Sequence, residues 1–420
     1  MSAIETSKTL HSLPVYADRP NLPDWLNAKR KIAYDLFTQV GFPHQSDENW
    51  KYIDMAPVLS AEFETGVSRE FYPDTDGQGV MVDGVIARLT DPSIKGVTLN
   101  RLEAFLASPL AGTLHSAYHV SQDPLALLNT FLADDAIVLH VCRDVKITDP
   151  ISLTFFETGS VLSLPRLIVI VEPGAQVGVD IRQQASDGQR FLTNMVIEAF
   201  VAQDAELNLV HSTLKGEGFR FLYLGLFQEA KSRFSGFFYS QDGLLTRRNV
   251  EVRFQGEEAL CELNGLSILD GKSEVYNQTA IHHRVPTCDS HQLYKNILSG
   301  ASKSEYCGLV QVYPDAQKSN STQMNRNMIL SDHAKVFSRP QLKIDADDVK
   351  CAHGATVGQL EEDEVFYLCS RGLSREVAKS LLTYGFAEEI VDKIPFKSAQ
   401  AFVEQGVRDV LRRLAVAVIA

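Results

Sequence analysis

The sequence predicts a mainly β protein in which a β-solenoid lies between helical regions at the two ends of the chain. Three observations lead there. Strand-like runs follow one another from about residue 136 to about residue 350 with few helix signals. Several runs alternate apolar and polar residues: Ala205, Leu207 and Leu209 with Glu206 and Asn208; Val250, Val252 and Phe254 with Glu251 and Arg253; Leu342 and Ile344 with Lys343 and Asp345. That period of two puts one strand face in a core and the other in water. A turn followed by alanine recurs at Ala175, Ala205, Ala230, Ala259 and Ala334, mostly at intervals of roughly 25–30 residues with one longer gap, as stacked coils require. Periodicity alone favours a β-helix and leaves a β-sandwich open.

The chain divides into a mainly helical region over 1–135, a β-helix core over 136–360 and a helical region over 361–420. In the first, Pro20 and Pro23 precede Ile32, Ala33, Leu36, Phe37 and Val40 at helical spacing, and Gly41 with Pro43 ends the helix. His44 to Tyr52 reads as a polar turn anchored by Trp50. Beyond it come a short strand at Val80–Val85 and helical pieces at Leu102–Leu106 and Pro124–Leu132. In the third region, Ser374 is the expected N-cap, with Glu376 suited to the positive helix end. Val377, Ala378, Leu381, Leu382 and Phe386 make one apolar stripe. After Pro395, the residues Phe402, Val403, Val407, Val410, Leu411 and Leu414 make another, with Arg408, Arg412 and Arg413 near its end.

With 420 residues, 45% of them hydrophobic, the chain can bury a sizeable core. Its net charge of −13 argues against broad binding to nucleic acid or anionic membrane. No apolar run reaches the length of a membrane-spanning helix. Met1 to Pro14 lacks the pattern of a secretory signal. The six cysteines are scattered without a C-x-x-C pair. A cytoplasmic protein with reduced thiols is the expectation.

Three segments could carry chemistry. Gly265 to Ser273 imitates a phosphate-binding loop, but it has five residues between its glycines where the motif needs four, and no helix pattern follows. A turn between strands is expected there, and no nucleotide. His282, His283, Cys288 and His291 are metal-ligand types, yet neighbours on a strand point to opposite faces, so these read as solenoid-turn residues. Cys351 and His353 are two apart. On an extended strand they face one side, with Cα atoms about 6.5–7 Å apart, and thiolate and imidazole are both accepted iron–sulfur ligands. Lys350 and His353 are expected to lower the Cys351 pKa. Two ligands do not complete a cluster site, so the remainder must come from elsewhere.

The run from Arg339 through Asp347, Asp348, Val349, Lys350, Cys351, Ala352, His353 and Gly354 to Gly358 closely resembles the SufB/SufD family of iron–sulfur cluster assembly proteins. Val365 to Gly372, Gly385 to Ala387, Glu48 to Tyr52 and Cys288 to Lys295 continue the likeness. His353–Gly354 looks like the SufD type; the SufB type usually carries glutamate in place of Gly354. The resemblance implies a right-handed parallel β-helix flanked by helical regions. It implies a scaffold subunit of a SufBCD complex, and no enzyme by itself. Its partners would be a SufB-like subunit and a SufC-like ATPase, with a homodimer in isolation left open. A transient iron–sulfur cluster would form at the SufB–SufD interface, with His353 and Cys351 as metal ligands. The ATPase would dock on the C-terminal helices through Phe366, Tyr367, Arg371, Leu381, Leu382 and Phe386, whose apolar stripes are expected to be partly exposed in the chain alone. The sequence carries no recognisable flavin motif.

Two other readings compete with this one. A β-helix enzyme acting on polysaccharide would need a pair of catalytic carboxylates and, as a rule, secretion. A purely structural partner of an ATPase would need no metal ligand.

Overall fold

A computed structural model of the protein describes residues 9–10, 16–64, 73, 75, 77–117, 120–214, 216–241 and 243–417. Among them are eight α-helices and a 3₁₀ helix at Glu48–Trp50. Five lie early: α1 (Asp24–Val40), α2 (Ala56–Ser60), α3 (Leu102–Leu106), α4 (Ala111–Ala117) and α5 (Pro124–Leu132). Three close the chain: α6 (Glu362–Ser370), α7 (Arg375–Val391) and α8 (Lys397–Ala417).

Strands form the rest of the framework. The first seven are β1 (Gly79–Val82), β2 (Val85–Leu89), β3 (Val97–Arg101), β4 (Ile137–Val141), β5 (Ile151–Glu157), β6 (Leu162–Ser163) and β7 (Arg166–Val171). Next come β8 (Gln176–Ala185), β9 (Leu192–Val201), β10 (Glu206–Thr213), β11 (Phe219–Gln228), β12 (Arg233–Gln241), β13 (Leu245–Phe254) and β14 (Leu260–Leu269). The last are β15 (Glu274–His283), β16 (Asp289–Leu298), β17 (Lys303–Val312), β18 (Asn320–Ile329), β19 (Lys335–Ile344) and β20 (Lys350–Gly358).

These strands wind into a parallel β-helix. One sheet runs β2-β1-β5-β8-β10-β12-β14-β16-β18-β20, and the other β19-β17-β15-β13-β11-β9-β7-β4-β3. Pairing is parallel from the first coil to the last; antiparallel pairs occur at the beginning, between β1 and β2 and between β3 and β4. The β-helix is therefore the fold, and the sandwich is excluded.

Backbone geometry explains the repeat. At one corner of successive coils a residue takes the left-handed conformation: Gly174, Asp204, Lys231, Glu258, Thr287 and Lys318. Their spacing runs from 27 residues (Asp204 to Lys231) to 31 (Thr287 to Lys318). This conformation is costly for a side chain, and it turns the backbone N–H along the stack. Asp204 N–H donates to the Ala230 carbonyl at 3.0 Å, and Lys231 N–H to Glu257 at 2.8 Å. The next residue is small and buried at the corner: Ala175, Ala205, Ser232, Ala259, Cys288 and Ser319. Two of the five turn alanines read from the sequence are thus out of phase. Ser232, not Ala230, fills the corner, and Ala334 belongs to a different turn. Cys288 and Ser319 occupy the corner within the long gap.

Helices cover both sheets. The stripe of α1 faces the core through Leu26, Arg30 and Ala33, whereas Ile32 and Val40 are exposed. The Gly41 N–H closes the helix on the Phe37 carbonyl at 2.7 Å, as expected of a glycine past a helix end. Asp123 caps α5, accepting from the N–H groups of Leu125 and Ala126. The same carboxylate accepts from Arg247 at 3.1 Å and Asn249 at 3.0 Å, tying the helix to β13. Trp50 is buried beneath the Arg247 guanidinium, 3.7 Å from its ring centre. On the other sheet, Val403, Val407, Val410 and Leu411 of α8 pack with Ile390 and Val391 of α7 on Phe237, Tyr239, Leu266 and Ile297. From Phe402 to Leu411 the second C-terminal stripe, expected to be partly open, is therefore covered by the solenoid itself, and the Leu414 side chain lies outside the described residues. Burial of each such side chain contributes about 1.5–3 kcal/mol.

Candidate functional site

The pair Cys351 and His353 lies on β20, the terminal strand of its sheet. Register fixes which way the pair faces. Val177, Leu207, Phe234, Cys261, Ser290, Ser321 and Cys351 stack in one column. Val179, Leu209, Gly236, Leu263, Gln292, Gln323 and His353 stack in the next. Both columns line the interior, so both side chains continue inward-facing rows. His353 is nevertheless exposed, because no described coil lies beyond it.

The two positions differ. Cys351 is half-buried against the core. Burial pushes its thiol pKa up, and a backbone hydrogen bond from Ser321 opposes that shift in part. The expected lowering of the Cys351 pKa does not arise: desolvation of the thiol outweighs the backbone hydrogen bond that opposes it. Beneath His353 the lumen is polar. Gln323 is buried with neither amide atom hydrogen-bonded, and the Gln292 Nε2 is likewise unpartnered. The Gln292 Oε1 accepts from Tyr306 at 3.1 Å. The mouth of the solenoid thus offers a thiol, an imidazole and free amide groups.

The outer face of the last coil is braced by the N-terminal turn. Arg339 on β19 binds Glu305 at 2.6 Å and Glu48 at 2.5 Å. Tyr52 stacks on Phe337, with ring centres 4.0 Å apart. The segments at Glu48–Tyr52 and Arg339–Gly358, distant in sequence, meet here.

The six residues expected to dock an ATPase divide into two groups. Phe366, Tyr367 and Leu381 are exposed, as is Val377 beside them. Arg371 is exposed and donates to the Tyr367 hydroxyl at 3.1 Å. Leu382 and Phe386 are half-buried. Phe386 packs toward the solenoid, its carbonyl accepting from the buried Lys295 Nζ at 2.8 Å. Ser374 caps α7 on the Val377 N–H, as read from the sequence.

The decoys resolve as turns and strand ends. Asp270 and Gly271 make a turn between β14 and β15, with a strand, not a helix, after Ser273. His283 points inward and bonds Ser290 Oγ at 2.9 Å, while His282 points outward to Glu251 at 3.6 Å. His291 bonds Thr322 Oγ1 at 2.8 Å, so the histidines do not converge.

One cluster escaped the sequence reading. His140, Cys142 and Glu172 place a nitrogen, a sulfur and a carboxylate oxygen within 4.8 Å of one another. The signal was the same one used at Cys351: histidine and cysteine two apart at a strand end.

Comparison with known proteins follows the same lines. Residues 155–386 match the family model "SUF system FeS cluster assembly, SufBD core domain", and residues 19–79 match "SufBD protein N-terminal region". An iron–sulfur cluster assembly SufBD family protein of Synechocystis is 31% identical over 409 residues, covering 90% of each chain. The chloroplastic protein ABCI7 of Arabidopsis thaliana is 29% identical over 91% of this chain and 85% of its own. The iron–sulfur cluster assembly protein SufD of Escherichia coli is 27% identical over 85% of this chain and 86% of its own. With a solenoid built from these coils and family models matched over 19–79 and 155–386, the protein belongs to the SufB/SufD family of iron–sulfur cluster assembly proteins.

Proposed function

We propose that this chain is the SufD-type subunit of a cytoplasmic iron–sulfur cluster assembly scaffold, and that it has no catalytic activity alone. The observation that carries the reading is the open last coil. It presents Cys351 and His353 over a polar lumen at a place where both sheets end on unpaired strands. A cluster is the cargo of such a site. Two ligands from this chain and further ligands from a SufB-like subunit would complete its coordination while leaving it open for loading and release.

The two edges are not equivalent. Lys350 N–H donates back to Ser319 at 3.0 Å. By alternation along a parallel ladder, Cys351, His353, Ala355 and Val357 then turn their N–H groups to the open edge. On β19, Lys335 N–H donates back to Ser302 at 2.9 Å, which puts Pro340 at an open-edge position where its missing donor interrupts pairing. The uninterrupted β20 is the better template for a partner strand. Exposed Val357 and Ile344 add apolar surface to this end. A SufC-like ATPase docks on α6 and α7, whose exposed aromatic and aliphatic residues suit the core of an interface.

The test is anaerobic co-purification with SufB-like and SufC-like subunits, followed by iron and sulfide assay. His353→Ala should preserve the complex and lose the cluster. A full cluster load in that variant would refute the ligand role. Loss of the complex together with the cluster would reduce His353 to a structural part.

A further inference from the structure

We propose that His140, Cys142 and Glu172 form a mononuclear site for a divalent transition ion of the zinc, cobalt(II) or iron(II) kind, separate from the terminal pair. The site stands at the opposite end of the solenoid. From β7 to β19 there are six strand steps of about 4.8 Å each, or about 29 Å.

The donor geometry is close to what such an ion needs. The three ligand atoms lie within 4.8 Å of one another. His140 Nδ1 is 3.9 Å from Cys142 Sγ, and His140 Nε2 is 2.9 Å from the Glu172 carboxylate. A tetrahedral ion with bonds of about 2.0–2.3 Å holds its donors roughly 3.2–3.7 Å apart; because Cys142 and Glu172 meet opposite nitrogens of the ring, an ion on Nδ1 requires the Glu172 carboxylate to leave Nε2 and swing to the sulfur side. Thiolate with imidazole selects against calcium and magnesium, which take oxygen ligands.

The donors are also held in place. His140 is fully buried on β4 beneath Phe105, with ring centres 6.0 Å apart. The Cys142 N–H donates to the Gly96 carbonyl at 2.8 Å, and the Glu172 N–H to Val141 at 3.0 Å. The second Glu172 oxygen accepts from the Arg143 N–H at 2.9 Å. Access remains: Cys142 is half-buried and the Glu172 side chain is 28% exposed. Three protein ligands with solvent on one side leave a fourth position for water. Binding exchanges the thiol proton for the metal, releases that proton to solvent and involves no change of oxidation state.

The experiment uses the full chain, made metal-free under anaerobic reducing conditions and titrated with Co²⁺ and then Zn²⁺. One Co²⁺ should bind with a thiolate-to-cobalt charge-transfer band, and one equivalent of Zn²⁺ should bleach it. Cys142→Ser should remove the band and weaken Zn²⁺ binding by more than about 10-fold, the lower end of what an outer contact alone costs. Glu172→Gln should weaken binding and keep the band. The double variant Cys351→Ser, His353→Ala should bind as wild type. Zn²⁺ should also slow alkylation of Cys142 in the wild-type chain, a reading independent of any variant's folding. The proposal fails if no charge-transfer band appears, if the band survives Cys142→Ser or disappears with the terminal pair, or if Zn²⁺ leaves the alkylation rate of Cys142 unchanged.

Discussion

Proline at Ala355 tests whether β20 is the docking edge. Ala355 N–H points away from β18 by the alternation that Lys350 sets. Removing it breaks no bond inside the isolated chain. In the complex, the same change would strip one donor from the shared ladder and strand the partner's carbonyl. That costs about 1–3 kcal/mol, or about 5- to 150-fold in Kd, and the ring's bulk adds to it. Thr356→Pro is the control, because its N–H faces β18. It should weaken the chain itself, by about 1 kcal/mol for the lost bond and more for the displaced strand. Urea unfolding of the chain and affinity for a SufB-like subunit measure the two quantities. Ala355→Pro with wild-type stability and weakened association is the expected pattern. Unchanged association would refute pairing through β20. Equal destabilisation by both prolines would refute the assigned alternation.

Other outcomes follow from packing and charge. Phe366→Asp with Leu381→Asp should leave the unfolding midpoint near wild type, since both residues are exposed, and should abolish capture of the SufC-like ATPase in a pull-down. Asp123→Ala removes the α5 cap and the carboxylate beside buried Arg247; urea unfolding should show a loss of about 3 kcal/mol or more. Burial raises the Glu157 pKa from 4.5 to about 7, so the folded chain keeps a proton that the unfolded chain releases near 4.5. That term stabilises most below about pH 4.5 and is lost as pH rises to about 7, a change of roughly 3 kcal/mol. Stability of Glu157→Gln relative to wild type should climb across this window and level off above it, as read from unfolding at several pH values.

Local grammar was legible wherever one residue decides the outcome. The helical piece expected at Pro124–Leu132 matches α5, and Ser374 and Gly41 marked a helix start and a helix stop. What a tertiary partner decides was hidden. Ile32 sits at helical spacing with Ala33, yet α5 meets the other face of α1, where buried Arg30 donates to the Phe131 carbonyl. The turn repeat was blurred because its requirement is a left-handed residue followed by a small one. Lys231 with Ser232 and Thr287 with Cys288 meet that requirement without glycine or alanine. At the candidate site, Cys351 and His353 were visible from their spacing. Their inward direction depended on register with Ser321 and Gln323, which no local pattern contains.

The interior of the solenoid changes character along its length, and the change bears on function. The column ending at Cys351 begins with Val177, Leu207 and Phe234 and continues through Cys261 to Ser290 and Ser321. The column ending at His353 passes from Val179, Leu209 and Leu263 to Gln292 and Gln323. Early coils are therefore held by apolar packing. The last coils give up part of that contribution, since buried Gln323 has both amide atoms unpaired and each such group costs about 1–3 kcal/mol. A sequence shaped for stability alone would place valine or leucine at these positions. A polar lumen beneath an open coil instead keeps donors and acceptors next to Cys351 and His353, where a charged, partly solvated cargo could use them. The cost falls at the end of the stack, where a partner would restore the lost contacts, so the proposed site and the proposed docking edge belong to one arrangement.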